Sequence, residues 1–255
     1  MSGDILRPVN RRVLAEFAAS NVLLAFDFDG TLAPIVAEPS QARMRSETLR
    51  LLTEAASLYP CIVVSGRAQS DLVGRLDGVP VRGVVGNHGV EPWQASRALS
   101  DEVRRWHPQL ERKLRGLPGV TIEDKSFSVS VHYRQARDKE KAREQILDAA
   151  AALGDVRVIG GIEVVNILPP GAPDKGTALV SERERLGCES AIYVGDDETD
   201  EDVFALEDPD RILGIRVGPT PASAAEYSIV SQVEIDALLR VLVELRRSKK
   251  TEVSR

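Results

Sequence analysis

The chain has 255 residues, of which 43% are hydrophobic, 28% charged and 4% aromatic, and 39 acidic against 33 basic residues give a formal net charge of −6. This composition excludes intrinsic disorder, and the negative charge argues against DNA binding, which needs cationic side chains to neutralise phosphates. The N-terminal stretch lacks the uninterrupted apolar core of a signal peptide, and no stretch reaches the roughly 18 apolar residues of a membrane span. We therefore expect a cytoplasmic protein that binds neither nucleic acid nor membrane.

Apolar runs typical of buried strands alternate with segments of helical period, which indicates a parallel sheet covered by helices and so an α/β fold. The segment SETLRLLTEAASL predicts a helix over residues 46–58. The amphipathic segment at residues 234–247 predicts a helix that covers the sheet. Five core strands are predicted, at residues 22–26, 61–65, 81–86, 191–195 and 212–218.

The middle of the chain has a different pattern. A helical stretch (96–115) leads into the alternating segments GVTIEDK and FSVSVHYR, and a second helix (136–153) leads into DVRVIGG and IEVVNIL. This order predicts a small separate sheet with helices on one face. We predict an inserted domain at residues 90–170, between the two parts of a core domain formed by residues 1–89 and 171–255.

Polar side chains follow three of the predicted core strands, where a parallel sheet binds its ligands. They are Asp27 and Asp29 after the first strand, Ser65 and Arg67 (with Gly66 between them) after the second, and Asp196, Asp197 and Asp200 after the fourth. On an extended chain the first two carboxylates, at i and i+2, project from the same side and repel each other. A hard divalent cation with oxygen ligands, such as Mg²⁺, would offset this concentration of negative charge.

A carboxylate beside Mg²⁺ suggests phosphoryl chemistry, in which one carboxylate attacks phosphorus while a neighbour transfers the proton. Lys175, in DKG, is the one lysine placed where the chain should re-enter the core, and its charge would neutralise phosphoryl oxygens. The Ser65 hydroxyl and the backbone N–H groups of the turn at Gly30 would complete a phosphate cradle.

Four ordered segments resemble the motifs of the haloacid dehalogenase superfamily: DFDGTLAPI, the serine of VVSGR, the lysine of DKG and GDDETDEDVF. The resemblance implies a Rossmann-like parallel-sheet core with a smaller inserted α/β cap domain. It implies that Asp27 is the nucleophile and Asp29 the general acid/base. The implied phosphate-binding residues are Ser65, Gly66 and Lys175. The implied Mg²⁺ ligands are Asp27, the backbone carbonyl of Asp29 and Asp196, with Asp197 and Asp200 as further ligands or orienting residues.

Further segments, GNHG at 86–89, EDKSFSVSVHYR at 123–134 and the glutamate of IEVV, resemble the trehalose-6-phosphate phosphatase family. The resemblance implies that the sugar is contacted by Glu123, Lys125 and Glu163, while Arg67, Asn87 and His88 line the entrance. One departure is visible. The family commonly has Arg-Pro shortly after this glutamate, whereas the chain reads Glu163-Val164-Val165-Asn166.

The resemblance implies trehalose 6-phosphate as the small-molecule partner of a Mg²⁺-dependent phosphatase. We expect a monomer that is paired functionally with a trehalose-phosphate synthase. Two alternatives stay open: a phosphatase of another sugar phosphate, of the sucrose, glucosylglycerol or mannosylglycerate type, and a non-catalytic sugar-phosphate sensor. Glu123 and Lys125 have a competing interpretation, in which they form an ordinary surface salt bridge. The competing interpretation of His88 is that it only makes a hydrogen bond within its loop.

Overall fold

The computed structural model describes residues 3–93, 96–161, 163–208 and 211–253. A seven-stranded, fully parallel sheet forms the core, with strand order β1-β11-β10-β9-β2-β3-β4. Its strands, numbered along the whole chain, are β1 (Gly3–Asp4), β2 (Val22–Phe26), β3 (Cys61–Val64), β4 (Gly83–Val85), β9 (Ser190–Gly195), β10 (Ile212–Val217) and β11 (Tyr227–Ile229).

A second sheet of four antiparallel strands, in the order β5-β6-β8-β7, lies within the segment predicted as an insert. Its strands are β5 (Thr121–Asp124), β6 (Val129–His132), β7 (Arg157–Gly161) and β8 (Val164–Leu168). The α-helices are α1 (Arg11–Ala19), α2 (Ser46–Leu58), α3 (Gln69–Arg75), α4 (Arg97–Lys113), α5 (Lys139–Ala151), α6 (Lys175–Arg185), α7 (Glu201–Phe204) and α8 (Ile235–Val253).

The α/β prediction with a Rossmann-like parallel core is confirmed. Strand β2 and helix α2 have the predicted bounds, and the other three helices and the remaining predicted core strands differ by a few residues at their ends. The edge strands β1 and β11 were not predicted, because two or three residues are too few to show a periodic pattern. The predicted domain boundaries at residues 90 and 170 stay a prediction.

Alternating residues of β2 divide the apolar core between the two faces of the sheet. Leu24 and Phe26 pack in the cluster that includes residues of α1, α2 and α8. Leu23 and Ala25 pack in the cluster that includes residues of α6 and α7. Burial on both faces explains why this strand is a continuous apolar run.

Helices α4 and α5 cover one face of the cap sheet, which consists of β5 to β8. Val129 and Val131 of β6 and Val165 and Ile167 of β8 are buried against α4 and α5. The alternate residues of these strands therefore belong to the opposite face. Among the described residues, no helix combines the length and apolarity needed to cross a lipid bilayer.

Candidate active site

A cavity of about 210 Å³ is lined by residues that follow the core strands and by residues of the cap sheet. Most of the predicted site residues line it: Asp27, Asp29, Ser65, Gly66, Arg67, His88, Glu123, Lys125, Lys175, Asp196 and Asp197. The predicted site residues that are not part of its lining are Asn87, Glu163 and Asp200.

Lys175 joins Asp27, which lines this cavity, to Asp200, which does not. It is the first residue of α6, and its Nζ donates to Asp27 Oδ1 at 2.8 Å and to Asp200 Oδ1 at 2.7 Å. All three side chains are almost inaccessible to solvent. Burial alone would lower the pKa of Lys175, but the charges of Asp200 and Asp27 outweigh it and raise this pKa. Lys175 is therefore a fixed positive charge beside Asp27.

Asp200 organises the acidic loop after β9. Its Oδ1 also accepts from the Tyr193 hydroxyl at 2.6 Å, and its Oδ2 accepts from the backbone N–H groups of Asp196 and Asp197 at 2.9 and 2.8 Å. Both oxygens are therefore already occupied by donors. Of the two roles that the sequence left open for Asp200, this geometry favours that of an orienting residue.

Asp196 and Asp197 follow β9 and carry charge that the surroundings only partly neutralise. Burial, and then the nearby charge of Asp200, raise the pKa of Asp196 to about 7, and burial also raises that of Asp197. The Thr31 hydroxyl donates to Asp196 Oδ1 at 3.1 Å. Gly30 makes this approach possible, because its φ is +86° and a Cβ there would lie 2.0 Å from Asp196 Oδ2.

The donor set fits a hard divalent cation. Oxygens of Asp27, Asp196 and Asp200 all lie within 4.8 Å of one another. Burial, opposed by Lys175, raises the pKa of Asp27 well above its usual value, and the charges of Asp200 and Asp196 add to this. One lysine thus faces several carboxylates, and a cation would relieve the remaining repulsion. Since Asp200 is held by other donors, Asp27 and Asp196 are the better candidates for ligands.

Asp29 has a different partner from Asp27, and the expectation that the two side chains project from one side of the chain stays a prediction. Strand β2 ends at Phe26, and Asp29 lies in the following turn. Its two oxygens accept from Arg67 Nε at 2.6 Å and Nη2 at 2.7 Å. Arg67 also donates to Asp71 at 2.8 Å. Both Asp27 and Asp29 nevertheless line the cavity.

Ser65 and Gly66 follow β3 as predicted, and Ser65 is buried at the cavity wall. His88 packs directly against Gly66, where a Cβ would lie 2.4 Å from the His88 Cε1 atom. The N–H of Gly30 itself donates to Ala33 O at 2.7 Å. A phosphate cradle would therefore need other backbone N–H groups of this turn, and it stays a prediction.

Lys125 connects the cap to the core, and Glu123 lies beside it in the cap. Lys125 Nζ donates to Gly66 O at 3.1 Å and lies 3.9 Å from Glu123 Oε2. Glu123 also pairs with His132 Nε2 at 2.8 Å. Burial lowers the pKa of Lys125, and the hydrogen bond from His132 lowers that of Glu123. Because the Lys125 side chain is only 12% exposed and is bonded to the core, the interpretation as an ordinary surface salt bridge is disfavoured.

Asn87 and Glu163 make other contacts. Asn87 is buried, donates to Glu91 Oε2 at 2.7 Å and accepts from Ser128 Oγ at 2.7 Å, so it joins core and cap. Glu163 pairs with Arg134 Nε at 3.2 Å and with Lys139 Nζ. Neither residue is among those that line the cavity.

Several cavity residues were not identified as site residues from the sequence, and Asn166 is the clearest case. It lies on β8 between Val165 and Ile167, both of which face the helices of the cap. The period-two alternation of a strand could have placed Asn166 on the cavity side. Other such lining residues are Val36, Asp71, His132, Arg134, Val164 and Thr199.

The sequence matches a known family over most of its length. The profile of the trehalose-phosphatase family matches residues 25–229. A protein from Oryza sativa subsp. japonica, named probable trehalose-phosphate phosphatase 4, is 31% identical over an alignment of 258 residues. The alignment covers 92% of this chain and 69% of that protein.

Two solved structures share the fold at low sequence identity. The C-terminal domain of trehalose-6-phosphate phosphatase from C. albicans has a TM-score of 0.77 and 22% identity, and covers 96% of this chain and 98% of that chain. The C-terminal domain of the Candida albicans trehalose synthase regulatory protein has a TM-score of 0.65 and 16% identity, and covers 91% of this chain and 97% of that chain. Because catalytic and regulatory proteins share this fold, function has to be argued from the site.

Proposed function

The chain belongs to the trehalose-phosphatase family, and from this premise we propose that it hydrolyses trehalose 6-phosphate to trehalose and phosphate in a Mg²⁺-dependent reaction. The observation that carries the proposal is one cavity that holds a buried aspartate paired with a buried lysine, a serine, a second aspartate and an acidic loop. A sugar-phosphate sensor would need the positive charge, but it would have no need of the buried nucleophile.

Asp27 is the nucleophile in this proposal. Its carboxylate oxygen forms a bond to phosphorus while the bond between phosphorus and the sugar oxygen breaks, which gives an aspartyl-phosphate and the sugar alcohol. Lys175 donates to Asp27 Oδ1 and so holds this side chain in place. Lys175 and the Ser65 hydroxyl are the groups that would bind the phosphoryl oxygens as their charge redistributes.

Asp29 is the proton donor and acceptor. It would give a proton to the departing sugar oxygen, and then take a proton from the water that attacks phosphorus and regenerates the Asp27 carboxylate. In the structure both of its oxygens accept from Arg67. Each oxygen accepts only one of these hydrogen bonds and keeps a second lone pair for proton transfer. Arg67 is the positioning residue for this step.

Mg²⁺ would be held by Asp27 and Asp196, with the backbone carbonyl of Asp29 as the third ligand implied by the resemblance. Asp197 lines the same cavity, and Asp200 fixes the loop that carries both Asp196 and Asp197. When bound, the ion would supply positive charge to the phosphoryl group and relieve repulsion among the carboxylates.

The cap sheet closes the other side of the cavity. Lys125 reaches Gly66 O in the core, and Arg134 donates to Val36 O at 2.7 Å. These contacts bring the cavity-facing side of the cap over the strand ends, where the cap would exclude bulk water and contact the sugar. Choice among sugar phosphates would then depend on cap residues, whereas the core residues carry the chemistry.

Phosphate release from a panel of sugar phosphates tests the proposal. The panel holds trehalose 6-phosphate, sucrose 6-phosphate, glucosylglycerol phosphate and mannosylglycerate phosphate, each assayed with Mg²⁺ and with EDTA. We expect kcat/KM for trehalose 6-phosphate to exceed the others by at least about tenfold, which is the scale of pocket discrimination between related substrates, and EDTA to abolish turnover. Equal values across the panel would contradict the substrate, and no release from any of them would support a sensor.

Location, oligomeric state and partnership are further proposals from the sequence. We propose a cytoplasmic monomer that receives trehalose 6-phosphate from a trehalose-phosphate synthase. Sedimentation of the purified protein tests the monomer directly.

A further inference from the structure

One contact between the cap and the core lies at the end of the cap sheet that is away from the chain connections. Strand β8 ends at Leu168, which packs with Val90 and Ala172 of the connecting segments. Its first residue, Val164, lies about 13 Å away along the strand, at about 3.3 Å per residue. Because this end is far from the connections, it moves furthest when the cap swings open about them.

Arg134 makes the contact at this end. It lies two residues beyond His132, which is paired with Val164 in the register of the cap sheet. Its Nη1 donates to Val36 O at 2.7 Å and to Ala37 O at 3.4 Å, and both carbonyls belong to the core. The guanidinium is always charged, so these hydrogen bonds are stronger than those between neutral groups.

The core side of the contact is the rim loop, which we define as residues 35–39. Ile35, Val36 and Pro39 line the cavity, and Ile35 is half exposed. Arg67 holds the same loop from within the core, because its Nη2 donates to Pro39 O at 2.8 Å. The rim loop is therefore bound by one arginine of the cap and by the core arginine that holds the proposed acid/base.

Glu163 orients Arg134. Its Oε2 lies 3.2 Å from Arg134 Nε, and its other carboxylate oxygen pairs with Lys139 Nζ. The backbone N–H of Tyr133 donates to Glu163 O at 3.0 Å, so the two segments are also joined through the backbone. Glu163 has a φ of +59°, a left-handed conformation that is costly for residues other than glycine. A glutamate at such a position indicates that its side chain is needed there.

We infer that Arg134 is a latch that holds the cap closed on the rim loop, and that Glu163 positions this arginine. The inference rests on the proposed function, in which the cap covers the sugar. When the cap swings open, Arg134 loses both carbonyls of the core, whereas its pair with Glu163 moves with the cap. The latch therefore stabilises only the closed state, and its loss lowers the population of the state that binds the sugar phosphate.

Steady-state kinetics of Arg134→Gln with two phosphate esters test the latch. We expect kcat/KM for trehalose 6-phosphate to fall about 10- to 50-fold, the scale of a lost hydrogen bond from a charged group. For p-nitrophenyl phosphate, which has no sugar for the cap to cover, the loss should be smaller by at least about fivefold. Arg134→Lys keeps a donor for Val36 O and should recover part of the activity.

Lys139→Gln is the matched control. Lys139 pairs with the same carboxylate as Arg134, but within the described residues no hydrogen bond or ion pair joins it to the core. Its replacement should change kcat/KM for trehalose 6-phosphate by less than about twofold. A loss as large as that of Arg134→Gln would show that any change in this charged cluster has the same effect, and would overturn the latch.

The double variant Arg134→Gln/Glu163→Gln distinguishes positioning from direct contact with the sugar. Glu163→Gln alone should lower kcat/KM for trehalose 6-phosphate by a smaller factor than Arg134→Gln. Because Glu163 acts through Arg134, the double variant should lose no more than Arg134→Gln alone. A loss equal to the product of the two single losses would show that Glu163 acts independently, and would overturn its assignment.

Small-angle X-ray scattering measures closure independently of activity. We expect a larger radius of gyration for Arg134→Gln than for the wild-type protein and Lys139→Gln. Equal radii, or equal losses of kcat/KM for the two esters, would overturn the latch. Failure of the proposed function is a different result, because the wild-type protein would then show no preference for trehalose 6-phosphate over p-nitrophenyl phosphate while the difference in scattering remained.

Discussion

Arg67 and Asp29 form a bidentate ion pair, with Nε and Nη2 of the arginine 2.6 and 2.7 Å from the two carboxylate oxygens. The Arg67 guanidinium also lies 5.7 Å from the centre of the Phe28 ring and donates to Asp71. Burial alone would lower the pKa of Arg67, but its hydrogen bonds to Asp29 and Asp71 raise it. The proposed acid/base is thus held by a permanent cation, while the proposed nucleophile is held by Lys175.

Asp29→Asn should separate the two halves of the reaction. With p-nitrophenyl phosphate, whose leaving group needs no proton, we expect a burst of one p-nitrophenolate per enzyme followed by slow turnover. With trehalose 6-phosphate the alkoxide needs the proton, so we expect no burst and a loss of about 10²–10⁴-fold in kcat. Stopped-flow absorbance and quenched phosphate assays measure the two cases. Equal losses without a burst for both esters would contradict the role of Asp29.

Arg67→Lys tests the positioning of Asp29. A lysine cannot form the two-point pair, so we expect kcat for trehalose 6-phosphate to fall by about tenfold or more, with a smaller change for p-nitrophenyl phosphate. Arg75→Lys is the matched control, because Arg75 pairs with the same Asp71 but does not contact Asp29. Comparable losses in the two variants would show that the effect comes from Asp71 and the local structure.

Lys175→Met should destabilise the protein as well as inactivate it. Removal of the buried cation leaves the carboxylates of Asp27 and Asp200 without an opposite charge, at a cost of about 3–5 kcal/mol in the free energy of unfolding. The double variant Lys175→Met/Asp27→Asn also removes the Asp27 carboxylate. We expect it to be more stable than Lys175→Met and equally inactive. Urea unfolding of the single and double variants measures this coupling. Additive losses would mean that the pair is energetically unimportant.

Asp196 makes the metal-free protein less stable as the pH rises. Its pKa is about 7 in the folded chain, raised by burial and by Asp200. An unfolded chain releases this proton near pH 3.9, so between about pH 4 and 7 the folded state binds more protons and stability falls as pH increases. In EDTA at pH 8, Asp196→Asn should therefore be more stable than wild type by about 1–3 kcal/mol.

The same measurement contains its own controls. At pH 4 the wild-type and Asp196→Asn proteins should differ little, and Mg²⁺ should stabilise only the wild type. Asp101→Asn, at an exposed position on α4, should change stability by less than about 0.5 kcal/mol at either pH. A destabilised Asp196→Asn protein in EDTA at pH 8 would contradict this account of the acidic loop.

The sequence predicted the elements whose pattern is strong and local. Strand β2 is a continuous apolar run, and the helical period of α2 identifies the helix. Strands β1 and β11 could not be predicted, since two or three residues are too few to show a periodic pattern. Ordered motifs at strand ends also placed Asp27 and Lys175 at one site, because parallel strands end at the same edge.

The partners of individual side chains were harder to predict. Spacing in the sequence does not show that the two oxygens of Asp200 are already occupied by Lys175, Tyr193 and two backbone N–H groups. Glu163 was assigned from the resemblance to the family, whereas strand alternation places Asn166 among the residues that line the cavity.

In the proposed reaction Asp27 accepts the phosphoryl group of trehalose 6-phosphate. An acid-quenched single-turnover experiment detects the resulting aspartyl-phosphate. Protein mixed with trehalose 6-phosphate and Mg²⁺ should gain the mass of one phosphoryl group, located by peptide mapping to the segment that contains Asp27. The gain should be absent in Asp27→Asn and in EDTA. Phosphate release by an active Asp27→Asn protein, or turnover that leaves the wild-type protein unmodified at every quench time, would contradict the account.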